Sequence, residues 1–382
     1  MTAAAETAAT AATAEHLLTL PRDLLFDILV RLGPAALGRI RCVSASLRRL
    51  LDTTDFVSLY HRKHFLNPLL LFLSNTSSRI SCYHYNSGSL HSRFDSGSSD
   101  DSVSVFSCDG VVCVICMSKI KIHDPVIRRS ATVRFSNGSD ISASTGFAFG
   151  FAKLRREYKI VRLFEKERFD RFHYGPVRDA LCEIVSIPSS TIWCGSKSER
   201  SVKYVWRTLG IRQFDFEVLT RKGNVCVDGT VYWLIGERRF NPVFIRILSF
   251  DLETECFGIV CFPREYSDRS VECVGLLEME ERLCMTDRLP WETKMVIWML
   301  CDEGRNIWCK KCCIDLSWID VRDFEIVGHV GHGEGREGGE IVIKIGNSDF
   351  VLYDVEKCLF RRMEIAAKGK DLQVILKRKG LL

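Results

Sequence analysis

A strand that ends on aspartate, turns, and returns through an aromatic residue occurs twice in the second half of this 382-residue chain. RILSF runs into DLETECF at 251–257, and DFVLY runs into DVEKCLF at 354–360. In both, an aliphatic residue and then Glu follow the Asp, and an aromatic falls six positions after it. The carboxylate can accept backbone N–H groups within the turn, and the aromatic starts the return strand inside the core. Weaker versions are HDPVIRR after KIKI, SIPSSTIW at 186–193 and CIDLSW at 313–318. Asp251 and Asp354 lie 103 residues apart, about two of the roughly 40–50-residue units of a propeller blade. From Val103 onward, short β-type runs such as VVCVICM, YKIVRLF, TVYWLI and MVIWML alternate with turn residues. The expected architecture is a large all-β domain, a β-propeller or partial propeller; a large β-sandwich could use the same hairpins.

The segment before it has a different period. In LPRDLLFDILVRLGPAALGRIRCVS at 20–44, Pro21 suits the first helical turn, where its missing N–H costs nothing. At 100° per residue Leu24, Leu25, Ile28, Leu29 and Leu32 form one stripe, and Phe26 and Val30 widen it. A surface helix needs an apolar arc of only a little over 100°. Gly33 ends this helix and Pro34 opens the next, whose inward face is Leu37, Ile40 and Val43. Ser44 is placed to cap a third helix carrying Leu47, Leu50 and Leu51. A bundle of about 40–50 residues buries only part of such a set. Each uncovered Leu or Ile forgoes about 1.5–3 kcal/mol, so the surplus points to a separate protein as its cover.

The expected division is a disordered Ala/Thr tail over 1–14, the helical unit over 15–65, and a first strand with a Ser-rich loop over 66–107. The β domain follows over 108–366, with a tail or last strand over 367–382. The amino end has neither the basic start nor the leucine-rich core of a secretory signal. No apolar run approaches the roughly 18 residues of a membrane-spanning helix, and no membrane contact is expected. A reducing compartment, cytoplasm and/or nucleus, is the expected location, with the seventeen cysteines acting mainly as small core hydrophobes. A net charge of +5 is too mild for a dedicated nucleic-acid binder.

Chemical motifs are few. GEGREG at 333–338 matches G-x-G-x-x-G, but a strand follows instead of a helix, and Glu334, Glu337 and Glu340 would repel phosphate. Cys309, Cys312, His329 and His332 are four residue types that zinc accepts, though the intervening length and tight H-x2-H depart from common finger spacing. A turn and a Gly-rich loop are the preferred reading, and no metal or other cofactor is expected. Cys113 and Cys116, three apart on a strand, point to opposite faces and fit core packing. RREYK and EKERFDRFHYGPVR mix signs and aromatics, as a solvated face or a partner-binding rim does. There is no nucleophile elbow, H-E-x-x-H or phosphate loop, so no catalytic residue is expected.

Residues Leu20, Pro21, Asp23, Leu24, Ile28, Leu29, Arg31, Leu32, Leu37, Arg39, Arg41, Cys42, Val43 and Ser44 stand in the order of the F-box, a family this segment resembles. Departures are Gly33-Pro34, Gly38 within a helix, and Leu47 where Trp is usual. The β region resembles the F-box-associated domain of plant F-box proteins, described as kelch-like or propeller-like. The matching pieces are Asp109-Gly110, Asp124-Pro125, Arg128-Arg129, Gly146-Phe147, Val227-Asp228-Gly229 and SFDLETECFGIVCFP. The resemblance implies the substrate-receptor subunit of an SCF-type ubiquitin ligase. Leu20, Pro21, Leu24, Leu25, Ile28, Leu29, Leu32, Leu37, Ile40, Val43 and Leu47 would dock a Skp-type adaptor, and through it a cullin scaffold. Loops of the β domain would hold a protein substrate. A scaffold without ligase role and a glycan-acting propeller enzyme are the alternatives.

Overall fold

The computed structural model describes residues 19–376 except 65–67, 75–78, 96–103, 127, 136–144, 170–175, 190–203, 210–215, 220–222, 238–243, 264–265, 267–272, 289–292, 319–323, 332–337, 347–348 and 364–369. Four helices come first: α1 (Arg22–Leu29), α2 (Pro34–Val43), α3 (Ala45–Leu51) and α4 (Thr54–His64). Their boundaries follow local chemistry. Pro34 is the first residue of α2, and the Ser44 hydroxyl accepts the Leu47 N–H at 3.3 Å to cap α3.

The rest is a six-bladed propeller, not a sandwich. Blade 1 joins β1 (Leu69–Ser74), β2 (Arg79–His84) and β3 (Leu90–Asp95) to the last strand, β25 (Lys370–Leu376), in the order β25-β1-β2-β3. Blade 2 holds β4 (Ser104–Cys108), β5 (Val111–Ile115), β6 (Ile120–Asp124) and β7 (Arg129–Val133). Blade 3 holds β8 (Gly146–Ala152), β9 (Glu157–Phe169), β10 (Pro176–Pro188) and β11 (Arg207–Leu209). Blade 4 has β12 (Phe216–Val218) and β13 (Asn224–Val227) sharing one edge of β14 (Thr230–Glu237), then β15 (Phe244–Asp251) and β16 (Phe257–Val260). Blade 5 is β17 (Val274–Met279), β18 (Arg282–Arg288), β19 (Lys294–Asp302) and β20 (Ile307–Asp315). Blade 6 is β21 (Phe324–Val330), β22 (Glu340–Ile345), β23 (Asp349–Asp354) and β24 (Leu359–Arg362).

Strands β25, β4, β8, β13, β17 and β21 touch in a closed circle and form the inner ring. Closure is thus non-local: the last strand pairs with the first, Leu69 opposite Leu376. Side chains reinforce that seam. Arg361 grips Glu340 at 2.6 and 2.7 Å, the Tyr85 hydroxyl donates to the same carboxylate, and Phe72 meets Phe350 edge-on at 5.6 Å.

The aspartate turn joins the third and fourth strands of four blades. Asp251 accepts the Glu253 and Thr254 N–H groups at 2.9 and 2.6 Å, and Asp354 accepts those of Glu356 and Lys357 at 3.1 and 2.9 Å. Asp302 accepts from Arg305 and Asp124 from Val126, both at 3.0 Å. Four residues after each aspartate the chain takes positive φ, at Arg128, Glu255, Asn306 and Cys358. The returning aromatics pair as expected, Phe257 on Phe250 and Phe360 on Tyr353. CDEGRNIW, beginning at Cys301, is therefore the blade 5 copy. CIDLSW leaves the outer strand of that blade, and SIPSSTIW runs into residues outside the described ones. Two-residue turns at Asp109-Gly110, Asp228-Gly229 and Glu280-Glu281 have both residues at positive φ, as type I′ hairpins require.

The Ser-rich stretch is corrected. Two complete strands, β2 and β3, and the start of β4 lie within residues 66–107. RISCYH buries Ile80 and Cys82, and LHSRFD buries Ser92 and Phe94. The Ser, Gly and Asn residues between them belong to a hairpin turn. Residues 1–14 lie outside the described ones. Cys113 packs between blades 2 and 3 and Cys116 between blades 1 and 2, on opposite sides of one sheet.

Candidate functional site

In blades 2 to 6 the first and second strands, and in every blade the third and fourth, are joined at one end of the propeller, called here the seat end. The second and third strands, and successive blades, are joined at the other. The helical unit rests on the seat end. The Asp124 turn of blade 2 aims Val126 into the helical core, beside Phe56 and Tyr60. Val57 of α4 joins the apolar cluster between blades 2 and 3. Asp52, at the end of α3, is gripped by Arg41 of α2 and by Arg129 of blade 2 at 3.0 Å. A half-buried arginine–carboxylate–arginine bridge fixes orientation as well as contact. At the same joint His123 stacks on Phe94 at 4.0 Å, its Nδ1 2.7 Å from the Ser130 hydroxyl. Burial pulls its pKa down to about 4.

On this seat the apolar residues of α1 divide. Leu25 and Leu29 are buried in the helical core with Phe26 and Val30, as are Leu37 of α2 and Leu47 of α3. These four expected docking residues are off the surface. The physical reason is α4, whose Phe56 meets Phe26 edge-on at 5.4 Å, together with the propeller's own Val126. The remaining stripe faces water. Leu24 is 56% and Ile28 46% exposed, four residues apart on one helix face. Pro21 is exposed beside them, and Leu20, Leu32 and Ile40 are half-buried. The Val43 side chain lies outside the described residues. Ion pairs flank the strip without covering it, Arg22 to Asp55 at 3.0 Å and Arg31 to Asp27 at 2.8 Å.

The opposite end carries long connections, from Asp95 to Ser104, Val133 to Gly146 and Val260 to Val274, whereas the Pro188–Arg207 connection, between the third and fourth strands of blade 3, leaves from the seat end. It also carries a ribbon. β9 and β10 pair over thirteen residues each, from Glu157↔Pro188 to Phe169↔Pro176. Strand β8 covers only Glu157–Leu163 of β9, and β11 covers only Cys182–Ile184 of β10. Beyond those limits the pair continues as two strands, about 20 Å of extended chain at about 3.3 Å per residue. Sequence alone did not single out this end, because which connections share an end follows from strand order.

The four zinc-type residues are not brought together. Cys309 is disulfide-bonded to Cys301 across β19 and β20, while the other described cysteines are free thiols. Cys312 is half-buried on the same strand. His329 is buried with Nε2 3.2 Å from the Gly338 carbonyl. His332 lies outside the described residues, as does most of GEGREG. Among the described residues no three His, Cys, Asp or Glu side chains are placed to hold a metal ion. A cleft between blades 4 and 5 is lined by Asp228, Glu281, Arg282, Glu303 and Tyr232. Two of its carboxylates are already engaged, Asp228 by Lys153 and Glu303 by the Tyr232 hydroxyl.

Comparison with known proteins agrees with both halves of this arrangement. Residues 63–379 match the model of the F-box associated beta propeller domain, and residues 17–59 match that of the F-box domain. The F-box protein CPR1 of Arabidopsis thaliana is 22% identical over 88% of this chain and 82% of its own. A putative F-box protein of the same plant is also 22% identical, over 81% of this chain; the matched region spans 63% of that relative's length. An F-box/kelch-repeat protein of Arabidopsis thaliana is 22% identical over 91% of this chain and 85% of its own.

Proposed function

Because the chain belongs to the F-box associated beta propeller family, with an F-box domain at its amino side, we propose that it is the substrate-receptor subunit of an SCF-type ubiquitin ligase. A Skp-type adaptor docks on the strip of α1 around Leu24 and Ile28 and connects the chain to a cullin scaffold. The protein to be ubiquitinated is held at the opposite end, by the long connections and the β9–β10 ribbon. The observation that carries this reading is the split of α1. Leu24 and Ile28 stay exposed although the same helix buries Leu25, Phe26, Leu29 and Val30 almost completely. An uncovered pair of large aliphatic side chains on a rigidly seated helix fits a partner's apolar surface.

The reaction asked of this chain is positional. Holding a target at one end and the adaptor at the other raises the target's effective concentration near a ubiquitin-charged enzyme. No general acid, base or nucleophile of this chain is required. The bridge at Asp52 and the insertions of Val126 and Val57 support that role, because a loose joint would dilute the effect. The reading places the chain in the cytoplasm and/or nucleus.

Co-purification with a Skp-type adaptor tests it. The wild-type chain should bind, and Leu24→Asp with Ile28→Asp should abolish binding while the thermal unfolding midpoint stays within a few degrees. Binding that survives the double substitution refutes the assignment of the face. Adaptor binding without cullin recruitment in the same pull-down would turn the chain into a scaffold.

A further inference from the structure

Between β8 and β9 the chain turns through Lys153, Leu154, Arg155 and Arg156, the start of the RREYK stretch whose mixed charge suits a partner-binding rim. The structure divides that stretch into an anchor and an offered tip. Tyr158 and Lys159 are the anchor, both fully buried. The Lys159 ammonium donates to the Leu252 carbonyl and, at 2.8 Å, to Glu255 of the blade 4 turn. The tip is braced by two turns of the same blade. The Leu154 N–H donates to Glu253 Oε1 at 2.6 Å, and Lys153 pairs with Asp228 at 2.7 Å. The Arg156 N–H returns to the Lys153 carbonyl at 3.3 Å, and the Ser189 N–H donates to the Arg156 carbonyl at 3.0 Å.

What this bracing holds up is uncovered. Leu154 is 88% exposed, and Arg155 and Arg156 are exposed with no ion pair among the described residues. A lone exposed leucine is ordinary on a protein surface. A leucine fixed at the apex of a turn by bonds from the next blade, and followed by two guanidinium groups that form no ion pair among the described residues, is a preorganised contact. Little conformational freedom remains to be lost when it binds.

We propose that the Lys153–Arg156 turn is a second contact for the adaptor held on α1, with Leu154 entering an apolar recess rimmed by carboxylates that Arg155 and Arg156 meet. The proposal rests on the reading that α1 docks that adaptor. Two observations choose this occupant. The turn joins the first two strands of blade 3, so it opens at the seat end, where the helical unit also rests. Phe151 and Tyr158, which flank the turn, belong to the apolar cluster that Val57 of α4 enters. A protein held on the helical unit therefore lies over this end, and the target at the far end does not.

The test uses the full-length chain and a purified Skp-type adaptor, titrated at low and at physiological salt. Leu154→Asp with Arg155→Glu should weaken binding about 10-fold and flatten its salt dependence. Thermal unfolding should be unchanged, because both side chains project into water. Leu24→Asp with Ile28→Asp is the reference arm and should abolish binding. If that arm behaves as expected but the turn variant binds like the wild type, the second contact is refuted and the α1 reading stands. If the wild type does not bind the adaptor at all, both fall. A parallel arm sediments the chain with phosphatidylserine-containing vesicles. Loss of vesicle binding in the turn variant, with adaptor affinity intact, would make the turn a membrane contact and overturn the proposal.

Discussion

The seam between blades 3 and 4 and the outward face of α1 treat difficult side chains in opposite ways. In the seam a lysine, Lys159, is fully buried, its charge met by Glu255, which also holds Arg207 at 2.7 Å. On α1 two large aliphatic side chains, among the easiest to bury, remain in water. The difference is the number of neighbours. A propeller blade has another blade on each side, so even its ammonium group is covered and matched. Among the described residues the helical unit has the propeller on one side only, and its helices close over Leu25, Phe26, Leu29 and Val30 before running out of cover. Exposure on α1 therefore marks a missing neighbour, whereas on the outer strands, at Ile307 or Leu359, it reflects the free edge of a sheet.

The contrast fails if blades do not need both neighbours. Ending the chain after Met363 removes β25, leaving blade 1 without its inner strand and the ring open between blades 6 and 2. Cooperative unfolding should be lost altogether, seen as a broad, non-sigmoidal urea transition. A sharp transition in that truncation would show that closure is dispensable.

Lys159→Met sharpens the point within one seam. Glu255 keeps Arg207, but the Leu252 carbonyl and one side of the carboxylate lose their donor in a dry site. Unfolding free energy should fall by about 3 kcal/mol in urea. Lys153→Met, whose ion pair with Asp228 is in water, should lower it by no more than about 1 kcal/mol.

Acid probes the joint between the two regions. His123 is neutral in the fold, its pKa pulled by burial from 6.5 to about 4, with Asp124 as a nearby anion and Lys121 and Arg128 as nearby cations. The unfolded chain takes up the proton first, so this group's contribution is complete above about pH 6.5. It is lost progressively as pH falls towards 4. His123→Asn should flatten the stability profile in that window, leaving the later loss from Glu255. Hydrogen bonds from Arg207, foremost, and from Lys159 hold that carboxyl at about 2, so its contribution goes as pH falls from 4.5 towards 2. An unchanged slope between pH 6.5 and 4.5 would remove His123 from the account.

The smallest effect belongs to the helical unit itself. Gly38 sits within α2 with no atom within 4 Å of the position a Cβ would take. Gly38→Ala should stabilise the chain by about 1 kcal/mol through helix propensity, measured by thermal unfolding. At Gly150 in the inner ring a Cβ would lie 2.4 Å from Leu252 Cδ1 and 2.8 Å from Cys226 Sγ. The same substitution there should destabilise.

Much of this was legible because it is local. Asp251 and Asp354 announce their turns, and their spacing skips one blade whose own turn, at Asp302, keeps an aromatic six positions on, Trp308, but lacks the aliphatic residue and then Glu that follow the other two aspartates. Pro34 and Ser44 mark helix starts, and the period of α1 marks an apolar helix. Strands β2 and β3 were hidden by a serine-rich sequence that read as one long loop. The proposed docking face was legible only as a set of candidates: Leu24 and Leu25 are adjacent, equally apolar and on the same broad stripe. Leu154 gave no signal at all, being one leucine between a lysine and two arginines.

By itself the sequence determined an apolar helical unit followed by repeated strand–turn–strand units, because caps, turns and hydrophobic period act over a few residues. The tertiary structure decided the ring of six and its closure by β25. It decided that Leu25 and Leu29 are core while Leu24 and Ile28 are surface, and that the Lys153–Arg156 turn shares an end with α1. Each of these depends on which distant segment comes to lie alongside, and a contact between residues 69 and 376 leaves no mark on either neighbourhood alone.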